Sequence, residues 1–403
     1  MSILVMKFGG TSVANLERIN NLKNIIKNKI KNGQKKILLV VSAMSGVTNR
    51  LIKEYKAINP DINNPEYDSI LATGEQYSSA LISTLLDNEG IKTRSLMGWQ
   101  VPIITDGNYS KARIEKIDPT FIKKLFRNYS VLVVAGFQGV NNENRITTLG
   151  RGGSDTSAIA LSVALNSKIC EIYTDVDGIF SSDPRVVKNA KKIKNITYEE
   201  ILEMSSLGSK VLHPRSVELA MKYDIKVHVR SSFTNKEGSL VMREDTKLEK
   251  EIVTGISVSE SDAKISVKGI PDKPGVAGQI FSSLANANIN VDMIVQNITD
   301  DGKYASISFT VPTDDSKKAV NVLKKSKIKF NKISSDNSIC KISIVGVGMK
   351  SNVGVAKKMF ETLAKKNINI KVISTSEIKI SVLIDSKKKS IALNALHKSY
   401  GLE

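Results

Sequence analysis

An α/β sandwich followed by two copies of a small α+β module is the architecture this sequence predicts. Three features carry that reading: Val- and Ile-rich runs alternating with helical patterns, glycine turns where those runs end, and an internal repeat in the last third. The runs are ILVM (3–6), ILLVV (37–41), VLVVA (131–135) and ICEIY (169–173). None alternates with period two, so each suits a strand buried on both faces of a parallel sheet. Between the first two, Val13, Leu16, Ile19, Leu22, Ile26 and Ile30 recur at helical spacing, which predicts a helix over 13–31 stopped by Gly33. Strand, helix and strand in that order imply a layered α/β domain.

The repeat aligns KISVKGIPDKPGVAGQIFSSLANANINVDMIVQN (264–297) with KISIVGVGMKSNVGVAKKMFETLAKKNINIKVISTS (341–376). The match runs through KIS, Gly269 against Gly346, GVA, and NINV against NINI. Each copy predicts a strand, then a helix with Val276, Ile280 and Leu284, or Val355, Met359 and Leu363, on its apolar face. A second strand, a third (305–311 or 377–384) and a final helix complete the unit. The second copy reaches its final helix near Tyr400 with no strand after it, so IVTGISV (252–258) is expected to supply the missing one. Domains are expected at 1–240, 250–335 and 336–403, with the polar stretch 233–250 as the first boundary.

Bulk properties narrow the function classes. At 403 residues the chain exceeds what one core usually holds, and a hydrophobic fraction of 41% fits a globular protein. There is no apolar run long enough to span a bilayer, no charged-then-apolar leader, and no metal-ligand spacing around Cys170 and Cys340. A reducing cytoplasm, without a membrane partner, is the expected location. The net charge of +19 raises nucleic-acid binding, but the lysines scatter along helix faces and aromatics are only 5%. No nucleic-acid partner is expected.

Chemistry concentrates in five stretches. In MKFGGTSV, Lys7 ends an apolar strand directly before Gly9 and Gly10, a turn that points backbone N–H groups at an anion with a point charge beside it. The lysine precedes the glycines, so this is not a Walker A loop. In TTLGRGGSDTSA a second glycine turn opens a helix, with Ser154, Asp155 or Thr156 as cap, Arg151 as a bidentate donor, and Asp155 placed to orient a lysine such as Lys7. YTDVDGIFSSDPR follows a strand; Thr174 and Asp175 are suited to ribose hydroxyls or phosphate-bound water, and Phe180 to a purine. VVSAMSGVTN places Ser42 and Thr48 at another strand end, and ATGEQYSSAL places Glu75 at a helix start, where it would pair with an ammonium.

Together with VAGFQGV and GSKVLHPRSVELA, these stretches resemble the aspartokinases of the amino-acid kinase family, and the repeats resemble their paired, ferredoxin-like ACT domains. The resemblance implies an amino-acid-kinase-type α/β/α sandwich that transfers the γ-phosphoryl group of ATP, carried with Mg²⁺, to the β-carboxylate of L-aspartate. That is the entry to lysine, threonine, methionine and diaminopimelate. Carried over by motif, Lys7, Gly9 and Gly10 would hold the transferring phosphates, and Thr174, Asp175, Phe180, Arg185 and Lys210 the nucleotide. Ser42, Thr48, Glu75, Arg151, Gly152, Gly153 and Ser154 would hold aspartate. Phe180 stands where the family often has Tyr, which leaves ring packing without the hydroxyl. Lysine, threonine or both would bind between the ACT copies, at Asp272, Lys273, Gly275, Ala277, Asn290 and Gln296 with Thr375 and Glu377.

A carboxylate is already a nucleophile at neutral pH, so His213, His228 and His397 need no catalytic role. The rivals are a kinase of the same fold acting on glutamate, acetylglutamate, carbamate or a nucleotide, and a catalytically silent ACT-based amino-acid sensor. ACT pairing implies at least a dimer. An internal start at Met242 would yield a separate regulatory subunit.

Overall fold

The computed structural model describes residues 2–206, 211–244 and 252–403, and these fall into two compact units. The first comprises residues up to Ile179 together with 192–205 and 211–244; the second comprises 180–191 and 252–403.

The first unit is built on an eight-stranded sheet. Its order is Asn195–Thr197, Ser239–Met242, Lys226–Ser231, Ile169–Thr174, Leu4–Phe8, Ile37–Val41, Val131–Ala135 and Thr93–Leu96. All neighbours run parallel except Ser239–Met242 against Lys226–Ser231. The four apolar runs form its centre because Val and Ile tolerate burial on both faces. The polar stretch read as a domain boundary contributes the strand Ser239–Met242 to this sheet.

Alternation along Leu4–Phe8 decides where the lysine goes. Met6 and Phe8 pack with Ile19, Leu22 and Ile26 of the helix Leu16–Lys31 and with Ile82 and Leu86 of the helix Pro65–Asn88. Lys7, between them, faces the opposite layer. There its Nζ reaches Asp155 of the helix Gly153–Ala164. Phe8 also stacks flat on Tyr173 of the neighbouring strand, centroids 4.5 Å apart.

The first helix begins at Leu16 rather than Val13, because the Asn15 side chain accepts the Arg18 N–H at 2.9 Å and caps it. Residues Gly10–Val13 form a separate 3₁₀ turn. Val13 is buried in the same core as the helix, so its spacing mimics a helical position without the backbone continuing.

The second unit holds two four-stranded antiparallel sheets. One runs Asp292–Ile298, Tyr304–Pro312, Asp262–Pro271, Lys332–Asp336; the other runs Gly255–Ser259, Ile339–Val345, Lys379–Asp385, Val372–Thr375. Strand order is the same in both. The first copy closes with its own Lys332–Asp336, whereas the second is closed by Gly255–Ser259 from ahead of the first copy. Helices Val276–Asn286 and Ser316–Lys325 cover the first core, and Val355–Lys365 and Lys389–Ser399 the second. Between the copies, buried Lys341 reaches Asp292 at 2.7 Å and Asp262 at 3.3 Å, and Lys371 reaches Asp336 at 2.7 Å.

The segment 180–191 is part of this second unit. Val187 is buried in its core with Val186 and Ala190 alongside, Ile256 donates its N–H to the Ser181 carbonyl at 2.7 Å, and Ser181 Oγ lies 2.9 Å from His397 Nε2.

Ile256 lies on the borrowed strand and is buried. Ile256→Ala is expected to cost about 2–5 kcal/mol through the lost methyl groups and the cavity left behind. A lowered urea midpoint of the second unit, followed by circular dichroism, checks it.

Candidate active site

Four segments of the first unit meet around one cleft of about 390 Å³. Lys7 and Gly10 come from the first strand and its turn, and residues 42–49 from the turn after Ile37–Val41. Glu75 comes from the helix Pro65–Asn88, and residues 150–155 from the turn that opens Gly153–Ala164. Phe137 completes the lining.

The Lys7 ammonium and the Asp155 carboxylate are 2.6 Å apart, each side chain 11% exposed. The lysine is thus held at the cleft wall with donors left over, since an ammonium carries three and the carboxylate takes one. Gly10 lies so close to the next turn that a Cβ there would stand 2.9 Å from the Ala43 carbonyl oxygen. That approach, with Ser45 N–H bonded to the Gly10 carbonyl at 3.2 Å, joins the first two turns.

Two helix N-termini border the cleft, Val47–Ile58 and Gly153–Ala164, and a left-handed glycine enters each. Gly46 has φ 84° and Gly152 φ 70°. Neither helix has a side-chain cap. The expected capping by Ser154, Asp155 or Thr156 is therefore corrected: all three lie inside the first turn, and the Thr156 hydroxyl bonds back to the Gly152 carbonyl at 3.2 Å. In Gly153–Ala164 the Gly153 N–H goes to the Gly150 carbonyl at 3.0 Å and the Thr156 N–H to the Gly152 carbonyl at 3.1 Å, which leaves the Ser154 and Asp155 N–H groups and the positive dipole end to an anion. Gly152 is also pressed against His213, whose ring would lie 2.3 Å from a Cβ. Phe137 is held at φ 68°, an unusual conformation for an aromatic residue, by an N–H bond to Ser157 Oγ at 3.1 Å. Nothing in the letters VAGFQGV signals it.

Glu75 lies in the interior of its helix, not at a helix start, because the helix begins at Pro65 behind the Asn64 cap. It is 3% exposed. Oε1 accepts the Ala43 N–H at 3.0 Å, while buried Oε2 has no hydrogen-bond partner. Burial pushes its carboxyl up to about 7, with the Ala43 bond opposing. An orphaned acceptor facing a cleft is a receptor for a donor, and best for a cation. The Ala43 N–H was not legible from sequence, because it depends on the turn brought against the helix.

A family model described as the amino acid kinase family matches residues 2–231, and one described as the ACT domain matches 264–326 and 342–400. The aspartate kinase of Stutzerimonas stutzeri is 47% identical over 100% of this chain and 98% of its own length. The aspartokinase of Helicobacter pylori J99 is 45% identical over all of both chains. The chain belongs to the aspartokinases, within the amino acid kinase family. Among solved structures, E. coli aspartokinase III in complex with aspartate and ADP is similar at TM-score 0.80 and 25% identity, over 99% of each chain.

The aspartokinase cleft gathers Lys7, Gly10, Ser42, Thr48, Glu75, Arg151, Gly152, Gly153, Ser154 and Asp155. Gly9 sits beside it, its N–H bonded to the Tyr173 carbonyl at 3.1 Å. Thr174 and Asp175 lie at the end of Ile169–Thr174, with the threonine hydroxyl donating to Asp175 Oδ1 at 3.1 Å. Phe180 and Arg185 belong to the second unit, where Arg185 pairs with Asp183 at 2.8 Å. Lys210 lies outside the described residues. Among the described residues, no cluster of three His, Cys, Asp or Glu side chains offers a metal site, and no helix is long and apolar enough to cross a membrane.

In the second unit, Asp272, Lys273 and Gly275 stand exposed in the turn before Val276–Asn286, Ala277 lies in that helix, and Asn290 follows it. Gln296 and Thr375 lie on edge strands whose Met293 and Val372 pack together. Glu377 is drawn to Lys350 at 2.7 Å.

Gly152→Ala would meet both a left-handed backbone, worth about 1–2 kcal/mol, and the His213 ring. Kinase turnover is expected to fall at least about tenfold as the turn shifts, measured by initial rates alongside circular dichroism of the folded protein.

Proposed function

We propose that this aspartokinase transfers the γ-phosphoryl group of MgATP to the β-carboxylate of L-aspartate. A β-carboxylate oxygen attacks the γ-phosphorus, the bond to the ADP oxygen breaks, and 4-phospho-L-aspartate and ADP leave. Mg²⁺ arrives on the nucleotide as part of the substrate. The observation that carries the reading is the buried, orphaned Glu75 Oε2 in the same cleft as Lys7 and Arg151. A substrate with an ammonium and two carboxylates matches that set of receptors.

In this reading Glu75 receives the ammonium and exposed Arg151 a carboxylate by a two-point bond. Ser42, Thr48 and the first-turn groups of Gly152, Gly153 and Ser154 complete the amino-acid site. Lys7, held by Asp155, and the turn at Gly9 and Gly10 neutralise charge on the transferring phosphoryl, where positioning and electrostatics supply most of the catalysis. Thr174, Asp175, Phe180, Arg185 and Lys210 serve the nucleotide.

The ACT copies then serve as the sensor for lysine, threonine or both, through Asp272, Lys273, Gly275, Ala277, Asn290 and Gln296 with Thr375 and Glu377. A homo-oligomer is supported by the edge strand Asp292–Ile298, which exposes Ile294 and Ile298. Free, buried Cys170 and Cys340 support a reducing cytoplasm. A silent sensor would need neither the Lys7–Asp155 pair nor the Glu75 receptor.

Acyl phosphate formation from L-aspartate, trapped with hydroxylamine and run beside L-glutamate, tests the reaction. Aspartate-dependent hydroxamate that falls on adding lysine or threonine is the expected result; none at saturating MgATP would remove the substrate assignment. Turnover indifferent to both effectors would remove the regulatory half alone.

Glu75 also sets a pH dependence. Below its raised pKa of about 7 it is neutral and attracts an ammonium poorly. Aspartate kcat/KM should therefore rise with pH and level off above about 7, changing about tenfold per unit on the acidic limb. Glu75→Gln should be low and flat across that range. Binding draws the pKa down, so calorimetry in buffers of different ionisation enthalpy should detect proton release.

A further inference from the structure

Asp68 and Glu75 are seven residues, about two turns, apart on one face of the helix Pro65–Asn88. Asp68 is fully buried, and its carboxylate is committed to a single neighbourhood. Oδ1 accepts the Ser110 N–H at 2.9 Å and the Thr148 hydroxyl at 2.7 Å; Oδ2 accepts the Thr148 N–H at 2.7 Å and the Ser110 N–H at 3.0 Å. Thr148 is the last residue of the strand Ile146–Thr148, three positions before Arg151.

The turn beyond it is made of loose material. Gly150 and Gly152 both hold positive φ, 75° and 70°, and Gly153 follows. Such a segment has little stiffness of its own, because glycine crosses between backbone wells at low cost. Where Arg151 stands is therefore decided by what holds the turn from outside: the His213 ring against Gly152, and the root at Thr148 and Leu149. Asp68 pins Thr148, and at the next residue Arg215 donates to the Leu149 carbonyl at 2.7 Å and to the Ala112 carbonyl at 2.8 Å, so both ties hold the strand end that leads into the turn.

The geometry points to Asp68 as a positioning residue that sets the spacing between Glu75 and Arg151, and so the length of the acidic amino acid accepted. One rigid helix carries the ammonium receptor directly and the carboxylate receptor through the Asp68–Thr148 clamp. With Glu75 on the ammonium and Arg151 on the side-chain carboxylate, a dicarboxylic amino acid one methylene longer needs that spacing to open, and the clamp opposes it. The inference rests on the aspartate reading of the cleft.

The test compares kinetics for L-aspartate, L-glutamate and MgATP in the full chain and in Asp68→Asn, Thr148→Val and Thr148→Ser. Asparagine keeps the shape but turns an amide donor on Thr148 or Ser110; valine removes only the hydroxyl donor, and serine restores it. Asp68→Asn should raise KM for aspartate about tenfold while KM for MgATP stays within about twofold. The ratio of aspartate to glutamate kcat/KM should fall at least about fivefold. Thr148→Val should move the ratio the same way, and Thr148→Ser should return it. If Asp68→Asn does not fold, the Thr148 pair decides by the same ratio.

A loss shared equally by both amino acids and MgATP, or a lower Tm with the ratio unchanged, would overturn the positioning role. Wild-type protein that does not turn over aspartate would remove the underlying reading and the inference with it. Wild-type turnover with an unmoved ratio in the variants removes the inference alone.

Discussion

The pair Lys7–Asp155 is the constraint around which the first unit is arranged. A parallel sheet buried on both faces takes up a charge only where a partner meets it, and Lys7 comes one residue before the end of a central strand. Alternation turns its side chain away from Met6 and Phe8 toward the helix Gly153–Ala164, whose first turn supplies the carboxylate at 2.6 Å. Burying two charges costs desolvation that the contact recovers only in part. What it secures is an ammonium fixed in direction, with hydrogens still free for a ligand.

The other receptors follow from the same economy of unsatisfied groups. Two helix N-termini without side-chain caps, a buried carboxylate oxygen without a partner and an exposed arginine on a glycine turn would each be a defect in a structural core. Gathered around one cleft they complement a ligand that carries charges of both signs. Glu75 is the sharpest case: burial raises its pKa, and Oε2 has no hydrogen-bond partner to bring it back down.

In the second unit, equivalence in sequence conceals different physical causes. Gly269 and Gly346 align, yet Gly269 has φ 71° at a bulge between Lys268 and Ile270, where a Cβ would strike Asn331. Gly346 is extended, and is needed because the Ile252 carbonyl would lie 2.4 Å from its Cβ. That close approach is where the chain leads into Gly255–Ser259, the strand that closes the second sheet. The same residue at equivalent positions of the two copies thus answers two different constraints.

By itself the sequence determined the layered first domain, its buried strands, the repeat and the residue types of the cleft. These are short-range properties: periodicity, turn chemistry and motif spacing reach only as far as neighbours along the chain. Lys7, Arg151 and Asp155 were legible because each stands beside a glycine turn at a strand or helix end. Tertiary structure alone decided that Asp155 faces Lys7, that Glu75 in a helix interior meets the Ala43 N–H, that Phe137 is held left-handed and that Asp68 grips Thr148. It likewise drew 180–191 into the second unit, where apolar Val187 has a core to enter. Contacts between residues far apart in the chain depend on how the layers close over one another, and no local pattern records that.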